Sequence, residues 1–370
     1  MRTWQRVLGA MTASFAAATV VSCGGGGSTS MGTNPPTSGF VATHLVSNTN
    51  TSTNPYSSSN VDPNLVNAWG IAFNPQGFVW VANNGTSTST LYDGNGVPQS
   101  LIVSIPPGSA GRARPTGIAF NGAAAFNVSQ GGVSGASAFI FVGEAGTVSG
   151  WSPGVNTNSA ILVVDGAAQG KVYKGLALST VAGAPRLYAT DFHNGAVDVL
   201  DTTVAPVVVA GAFTDSSLPA GYSPFGIQAI GNRIFVTFAM KNPASNAEVV
   251  GPGLGAVDIF DPSGSLVTRL VAPGGSLNAP WGLAVAPANF GPSSNALLVG
   301  NFGDGTINAF NATTGASMGP LTESGAPLAI SGLWGLAFGN GINVQPTNTL
   351  FYTAGPAGGN NGVYGRIDFH

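Results

Sequence analysis

The 370-residue chain is poor in charge: only 7% of its residues are Asp, Glu, Lys or Arg, and its formal net charge is −3. A nucleic-acid-binding surface needs clustered basic residues, so this composition excludes that class of partner. At 44% hydrophobic residues, the chain also differs from disordered proteins. Gly (55) and Pro (25) are plentiful, but they have no three-residue period, which excludes a collagen-like helix.

Cysteine is almost absent, which excludes an intramolecular disulfide, because Cys23 is the only one in the chain. It follows a basic N-terminus and an Ala-rich apolar run that is too short to span a membrane comfortably. An ordinary secretory leader with an incidental cysteine fits this pattern. The residues Val20-Val21-Ser22-Cys23 also resemble the lipobox of bacterial lipoproteins, in which the peptidase cuts before a cysteine that is then lipidated.

That resemblance implies an exported protein with three parts. These are a signal peptide (1–22), a flexible Gly/Ser/Pro-rich tether (23–38) that begins at the lipidated Cys23, and a folded domain (39–370). Acyl chains on Cys23 anchor such a protein stably. We therefore expect an extracytoplasmic protein at the outer membrane or cell surface, in contact with the membrane only through its lipid.

Helical periodicity is missing as well, whereas one short phrase recurs six times. It consists of a bulky residue, Gly, an aliphatic residue and usually Ala, as in Trp69-Gly70-Ile71-Ala72. The six glycines are spaced 47, 58, 51, 56 and 53 residues apart. They are Gly70, Gly117, Gly175, Gly226, Gly282 and Gly335.

Each phrase is followed by further apolar runs that alternate with period two, as β-strands do. Most units contain four such runs, for example Gln99 to Ile105, Val207 to Ala212 and Leu266 to Val271 as fourth strands. Four antiparallel strands repeated six times predict an all-β, six-bladed β-propeller. A two-sheet sandwich would not require this fixed period.

The sixth unit stops at its third strand, because the sequence ends at His370. One spare strand, Gly39 to Ser47, precedes the first unit. We expect this strand to complete the last blade and close the ring, which removes exposed sheet edges. We also expect a monomer.

The repeats resemble those of NHL-type propellers. Asn67-Ala68-Trp69-Gly70-Ile71 and Tyr188 to His193 resemble a family of secreted bacterial propellers, some of which carry PEP-CTERM sorting tails. The present sequence ends in Arg366 to His370 without such a hydrophobic tail. The resemblance implies a propeller fold and export, and it supplies no reaction.

Aligning the repeats places a ring of mostly polar residues after the second strands. Its members are Asn83, Glu144, Asp191, Phe238, Asn301 and Ala354. Oxygen donors without Cys or His suit Ca²⁺ or another hard divalent cation, so Asn83, Glu144, Asp191 and Asn301 are candidate metal ligands. Alternatively, these side chains cap the turns of their own blades.

The ring is similar to that of gluconolactonase-type propellers, in which a divalent ion polarises a lactone. This resemblance implies that Glu144 or Asp191 activates water. His193, next to Asp191, is a further candidate base, although a histidine beside a turn is often structural.

The residues before the repeat glycines form a second ring of candidate ligand-binding side chains. They are Trp69, Thr116, Lys174, Phe225, Trp281 and Trp334, with Arg114 at the same level. The aromatic rings could stack on a sugar or pack between blades, and the cations could hold an anion or pair with Glu144 or Asp191.

Two insertions interrupt the repeats. Asn121 to Ser137 is predicted on the face opposite to these rings, whereas Met240 to Gly255 is predicted on the same face. The sequence thus leaves two functions open. One is a binding module at the cell envelope, with a protein, glycan or small molecule as partner; the other is a divalent-metal-dependent hydrolase of the lactonase type.

Overall fold

The computed structural model describes residues 38–51 and 55–370; the predicted signal peptide, Cys23 and the tether before Ser38 lie outside them. The described chain is a six-bladed β-propeller, which confirms the predicted fold. Its two helices are 3₁₀ turns, Ala167–Gln169 and Gly291–Ser293. Among the described residues, no helix has the length and apolarity needed to cross a bilayer.

The strands follow one another blade by blade. The closing segment and blade 1 contain β1 (Phe40–Ser47), β2 (Asn60–Val61), β3 (Ala68–Phe73), β4 (Val79–Asn83), β5 (Thr88–Tyr92) and β6 (Pro98–Ser104). Blade 2 contains β7 (Pro115–Phe120), the hairpin β8 (Asn127–Gln130) and β9 (Val133–Ala136), β10 (Phe139–Gly143), β11 (Thr147–Trp151) and β12 (Ile161–Asp165). Blade 3 contains β13 (Tyr173–Val181), β14 (Ala184–Asp191) and β15 (Ala196–Leu200).

The second half of the chain continues in the same way. Blade 4 contains β16 (Tyr222–Ile230), β17 (Arg233–Met240), β18 (Gly255–Phe260) and β19 (Leu266–Val271). Blade 5 contains β20 (Pro280–Val285), β21 (Ala296–Asn301), β22 (Ile307–Asn311) and β23 (Ser317–Pro320), followed by the small hairpin β24 (Thr322–Glu323) and β25 (Ala326–Pro327). Blade 6 contains β26 (Leu333–Phe338), β27 (Leu350–Ala354) and β28 (Val363–Phe369).

Within each blade, the first strand lies at the central axis and the later strands follow outward. The loops between second and third strands share one end of the propeller, which we call the upper face; the opposite end is the lower face. The 240–255 insertion joins β17 to β18 on the upper face, and the β8–β9 hairpin joins β7 to β10 on the lower face. Both placements agree with the sequence prediction.

An apolar cluster fills each of the six spaces between adjacent blades. These clusters use the inward-facing residues of the alternating strands, so burial of one blade's face requires the next blade. No blade can therefore bury its hydrophobic residues alone.

The repeat glycines allow neighbouring inner strands to approach closely around the axis. A Cβ atom at each would lie 3.0 Å or less from the next blade, and at five of them the nearest atom is the carbonyl oxygen of the residue before the next repeat glycine. These distances are 2.6 Å for Gly70 to Thr116, 3.0 Å for Gly175 to Phe225, 2.0 Å for Gly226 to Trp281, 2.4 Å for Gly282 to Trp334 and 2.6 Å for Gly335 to Trp69.

Buried threonines reinforce some of these contacts. The Thr190 hydroxyl accepts a hydrogen bond from Gly175 N in its own blade (2.7 Å) and donates to Phe225 O in the next blade (2.7 Å). Thr353 connects blade 6 to blade 1 in the same manner, donating to Trp69 O. The hydroxyl therefore satisfies polar backbone groups at the narrowest part of the ring.

The ring closes as predicted, because β1 pairs antiparallel with β28 from Phe40–Phe369 to Ser47–Val363. Gly39 and His370 extend this pairing by exchanging two backbone hydrogen bonds of 3.0 Å. The Phe40 ring packs against Phe290 of blade 5, with centroids 4.9 Å apart. The N-terminal strand is thus built into the core between the last two blades.

Blade 3 departs from the predicted pattern, because Val207 to Ala212 does not form a fourth strand. The chain makes one bridge, Leu200–Pro206, and then leaves β15. The hydrogen bonds of this bridge run from Asp201 N to Ala205 O and from Val207 N to Val199 O; the chain then turns and buries Phe213 between blades 3 and 4. Val208 is consequently 90% exposed.

The close approach of the inner strands predicts that Gly226→Ala is strongly destabilising. Its methyl group would meet Trp281 O at 2.0 Å, so the two strands must separate, at a cost of about 2–3 kcal/mol. Gly154→Ala is the matched control, because a Cβ there has no neighbour within 4 Å. Urea unfolding of both variants measures the difference; equal midpoints would contradict the packing role.

Candidate ligand-binding cavity

A cavity of about 830 Å³ opens on the upper face of the propeller, around its axis. Its walls come from loops between second and third strands and from the residues that enter first strands, together with the 240–255 insertion. This volume lies in the range of small-molecule sites, which commonly occupy such positions.

Six aromatic side chains form the floor of this cavity and close the channel beneath it; we call them the aromatic plug. They are Trp69, Phe192, Phe225, Trp281, Phe302 and Trp334. Trp334 is stacked between Trp69 (centroid distance 3.4 Å) and Phe302 (4.1 Å). Trp281 contacts both Trp69 and Trp334 edge to face, at 6.0 and 5.9 Å.

Lys174 is the one member of the second ring that brings a charge to this plug. Its side chain is only 3% exposed, and its Nζ lies 5.0 Å from the Trp69 ring centroid and 5.8 Å from that of Phe192. Trp281 Nε1 donates to the Lys174 carbonyl oxygen (3.0 Å), which fixes its backbone. Aromatic faces stabilise such a desolvated ammonium group through their quadrupoles.

Glu144 compensates the Lys174 charge. Glu144 Oε1 accepts a hydrogen bond of 2.7 Å from Lys174 Nζ, and Oε2 accepts one of 3.0 Å from Asn84 Nδ2. Burial would raise the pKa of Glu144, but the ammonium of Lys174, the Asn84 amide and the charge of Arg114 outweigh burial and hold this pKa below its usual value. The carboxylate therefore stays ionised at neutral pH.

Three non-glycine residues at the same repeat position, just before the inner strands, have a strained left-handed backbone. Asn67, Arg114 and Ala279 each stand three residues before a repeat glycine and have φ of 50°, 47° and 45°. Gly332 occupies the same repeat position with φ of 69°. Left-handed geometry here turns the chain into the inner strand, and it places Asn67, Arg114 and Gly332 at the cavity wall.

Strand pairing corrects the sequence alignment of the polar ring by one residue in blade 2. The residue two before each repeat glycine pairs with Asn83 in blade 1 and Asp191 in blade 3, but with Gly143 in blade 2. Glu144 therefore belongs to the following ring, one residue further along the chain. The members of that ring are Asn84, Glu144, Phe192, Ala239, Phe302 and Gly355.

This following ring faces the axis because side chains alternate along a strand. Its members line the cavity or belong to the plug cluster. Asn84 and Phe302 were missed in the sequence, although each directly follows a residue that the repeat alignment singled out.

The structure does not bring the four predicted metal ligands together, since of these only Glu144 lines the cavity. Asn83 donates to Thr90 within its own blade (2.9 Å), and Asp191 accepts from the backbone N of Val172 (3.2 Å). Asn301 accepts from Asn278 N (3.0 Å). The described residues also contain no cluster of three His, Cys, Asp or Glu that could hold a metal.

Asn83, Asp191 and Asn301 thus make these hydrogen bonds within their own blades, and with Glu144 they do not form a shared calcium site. As a candidate base, Asp191 is 1% exposed and also accepts from Asn194 Nδ2 (2.7 Å). His193 is exposed outside the cavity lining, where its Nδ1 contacts Asn246 Oδ1 (2.6 Å) and its carbonyl accepts from Lys241 Nζ (2.5 Å).

His193 thus holds the 240–255 insertion against blade 3. The insertion places Asn246 and Glu248 in the cavity wall, and Glu248 Oε2 lies 4.0 Å from Lys174 Nζ. The sequence signal for these two residues was the interruption of the repeat, which located the insertion but not its side chains.

The second ring divides between the cavity and the plug. Trp69, Lys174 and Trp334, with Arg114, line the cavity. Phe225 and Trp281 do not, because they pack within the plug, and Thr116 donates instead to Tyr173 O of blade 3 (2.9 Å).

Two indoles at the cavity floor lack a hydrogen-bond acceptor. Trp69 and Trp334 are 4% and 2% exposed, and the described residues provide no partner for either Nε1–H. By contrast, Trp281 and Trp151 each donate to a carbonyl oxygen. A buried donor without a partner costs about 1–3 kcal/mol, so the stacking of these two indoles carries a local cost in stability.

The channel continues below the plug as a space of about 40 Å³ at the level of the repeat glycines. A second opening of about 390 Å³ follows on the lower face, lined by the ends of all six inner strands. Five blades place Ala at the position where blade 4 has Gln228.

Two uncharacterized proteins of Acanthamoeba polyphaga mimivirus are similar to this chain. R648 is 35% identical over 84% of the chain and 76% of its own length. L690 is 34% identical over 80% of the chain and 77% of its own length. The chain belongs to the family of these two proteins. The family includes viral members, and the resemblance to secreted bacterial propellers stays a prediction.

No protein-family model matches the chain. Among solved structures, a streptogramin B lyase covers 90% of it at 10% identity with a TM-score of 0.50, and the chain covers 98% of that protein. A protein of unknown function from Bacteroides thetaiotaomicron aligns over 90% of this chain and 76% of its own, at 12% identity, also with a TM-score of 0.50. These likenesses show the propeller fold alone.

The Glu144–Lys174 pair predicts a pH-dependent stability. Glu144→Gln removes the carboxylate that is hydrogen-bonded to the buried ammonium, leaves only Glu248 at 4.0 Å, and should cost about 3 kcal/mol at pH 7. Because folding lowers the pKa of Glu144, the stabilisation is present above the unfolded pKa and is lost as pH falls through the folded one. The difference from wild type should therefore shrink as the pH falls below the ordinary glutamate pKa of 4.5 and through the lowered pKa of Glu144.

Denaturant unfolding from pH 3 to 8 measures this dependence. Glu323→Gln is the control, because Glu323 is an exposed glutamate in the small β24–β25 hairpin. A Glu144→Gln deficit that is the same at every pH would contradict an ionic role.

Proposed function

We propose that this protein is a ligand-binding module whose site is the upper cavity. The observation that carries the proposal is the cavity of about 830 Å³ itself, whose floor holds a compensated, buried lysine on an aromatic plug. A concave site of this size, with a few polar and charged groups above an apolar floor, has the usual form of a small-molecule site.

The positions of the predicted metal ligands and the lowered pKa of Glu144 favour binding over hydrolysis. The lactonase interpretation needs a metal as Lewis acid, but Asn83, Asp191 and Asn301 lie in separate blades and do not line the cavity. Glu144, the predicted base that lines the cavity, has a lowered pKa and is bonded to Lys174, which weakens it as a proton acceptor.

We further propose that the module is exported and lipid-anchored through Cys23. The support is the sequence alone: the basic start, the short apolar run and the lipobox-like Val20 to Cys23. At the cell envelope, the bound partner would be a small molecule or a glycan.

The binding proposal predicts that blocking the cavity abolishes ligand-induced stabilisation. Ser331 is an exposed residue of the cavity wall, so Ser331→Trp should fill the entrance without disturbing the core. A ligand at 100 times its dissociation constant adds about 2.7 kcal/mol to wild-type stability, which a melting shift reveals.

The screen uses a panel of sugars, amino acids and nucleosides with melting temperature as the readout. Ser129→Trp, in the β8–β9 hairpin on the lower face, is the control. Shifts in wild type and Ser129→Trp, but not in Ser331→Trp, would support the cavity. Equal shifts in all three proteins, or none across the panel, would oppose it.

The export proposal predicts that Cys23→Ser prevents lipidation. Full-length wild type expressed in a Gram-negative host should incorporate labelled palmitate and sediment with membranes, because acyl chains anchor it stably. Cys23→Ser should incorporate no label. Unlabelled wild type that fractionates like the variant would rule out the anchor.

A further inference from the structure

We propose that the upper cavity binds an organic cation, a primary ammonium group on a small apolar body, with Glu248 as the residue that holds the ammonium. This inference rests on the proposed binding function and names the class of ligand. Its support is a nearly buried carboxylate without a hydrogen bond, the balance of charge around that carboxylate and the apolar wall next to it.

Glu248 accepts no hydrogen bond from the part of the chain that the structure describes, although its side chain is only 10% exposed. It lines the cavity. Lys174 Nζ, 4.0 Å from Glu248 Oε2, lies beyond hydrogen-bond distance and donates to Glu144 instead. A carboxylate withdrawn from water in this way is stabilised by a charged hydrogen-bond donor, and a ligand ammonium is such a donor.

The insertion on the upper face holds Glu248 in place through its backbone. Val249 N donates to Met240 O (2.7 Å), and Gly251 N donates to Asn278 Oδ1 (2.7 Å) just before blade 5. The segment is therefore fixed immediately after Glu248. Its carboxylate is held at the cavity wall before a ligand arrives, which lowers the entropic cost of binding.

Glu248 is also the carboxylate with the most acceptor capacity left. Both oxygens of Glu144 already accept hydrogen bonds. Asp304 accepts from Asn278 Nδ2 (3.1 Å) with one oxygen and from Thr306 N (3.0 Å) with the other. An ammonium group in the cavity consequently finds its unused acceptors at Glu248.

The charges that line the cavity favour a cation over a neutral or acidic ligand. Lys174 and Glu144 compensate each other at 2.7 Å, which leaves Glu248 and Asp304 to face Arg114 alone. Arg114 and Asp304 are exposed and screened by water, whereas Glu248 is nearly buried. A ligand with one positive charge balances this site, and an anion would add to its negative charge.

A primary ammonium fits these surroundings better than a metal ion or a quaternary ammonium. The described residues contain no group of three His, Cys, Asp or Glu that could hold a metal. A quaternary ammonium needs open aromatic faces, but Trp334 is stacked between Trp69 and Phe302. A primary ammonium has three N–H donors, which match the lone pairs of a carboxylate.

The cavity also offers apolar surface for the rest of the ligand. Val250, two residues after Glu248, lines the cavity and is 52% exposed. Phe302 is half-buried in the same lining. Covering these side chains removes apolar surface from water, so an amine with a hydrocarbon or aromatic body gains affinity over ammonium itself.

Matched compounds test the charge of the ligand. Melting shifts and titration calorimetry of the full chain are recorded with 2-phenylethylamine, tyramine and hexylamine, each beside the alcohol, the carboxylic acid and the trimethylammonium compound of matching length, and with CaCl₂ alone. At least one primary amine should bind about tenfold more tightly than its counterparts, the effect of a hydrogen bond to a charged group, and should lose this binding in Ser331→Trp. A counterpart that binds as tightly as its amine, or stabilisation by Ca²⁺ alone, would overturn the inference.

Glu248→Gln tests the residue that holds the ammonium. It keeps the size of the side chain but removes its charge, so the tightest amine should bind about tenfold more weakly. Glu323→Gln is the matched control, because it changes the net charge equally at an exposed glutamate outside the cavity lining. Equal amine affinities of Glu248→Gln and wild type would contradict the proposed contact.

Arg114→Gln tests the same charge balance in the opposite direction. It removes the exposed cation of the cavity wall, so the tightest amine should bind about threefold more tightly. A variant that merely damages the fold would lose affinity, which makes this gain independent of how well Glu248→Gln folds. Unchanged or weaker amine binding by Arg114→Gln would count against a cationic ligand.

Failure of the class is distinguishable from failure of the function. If sugars or nucleosides bind in a Ser331→Trp-sensitive manner and no amine does, the ligand class is wrong and the cavity remains a binding site. If no member of either panel binds there, both proposals fall.

Discussion

Around the axis of this propeller, backbone meets backbone at distances that leave no room for a Cβ atom. The glycine of one blade faces a carbonyl oxygen of the next in five of the six contacts, and buried threonines bridge two of these junctions by hydrogen bonds. Each inner strand is thereby fixed in height and angle relative to its neighbour. The large side chains that precede the glycines must consequently converge on the axis just above this ring.

The cavity follows from that convergence. Three tryptophans and the neighbouring phenylalanines stack until they close the channel, and a buried surface of this kind cannot hold a charge without compensation. Lys174 is accepted there because aromatic faces and Glu144 surround its ammonium group. Blade packing therefore accounts for the floor of the site. Its walls are formed by residues that differ from one blade to the next.

The fold could be predicted from the sequence because it depends on features that repeat. A phrase spaced by about 53 residues indicates blades, and one spare strand matches one unfinished blade. The candidate site depended on features that do not repeat. One residue of register decides whether a side chain caps a turn or faces the axis, and the alignment of blade 2 was wrong by that one residue.

Two further features were beyond the repeat pattern. The 240–255 insertion was located correctly, but the ion-pair distance between Glu248 and Lys174 depends on how the insertion folds against His193. Blade 3 lost its fourth strand although the valine-rich run has strong strand propensity, because the chain turns after Val207 to bury Phe213 between blades 3 and 4, and this tertiary packing outweighs local preference.

Ring closure by the first strand also determines how the molecule carries mechanical load. The chain enters at Gly39, on the lower face, and β1 then runs toward the upper face alongside β28. Tension applied through the preceding residues acts along β1, so the backbone hydrogen bonds of the seam are loaded together in shear rather than peeled one after another. The β1–β28 seam that closes the propeller therefore also bears this load. The cavity opens on the upper face, opposite to the face at which Gly39 enters.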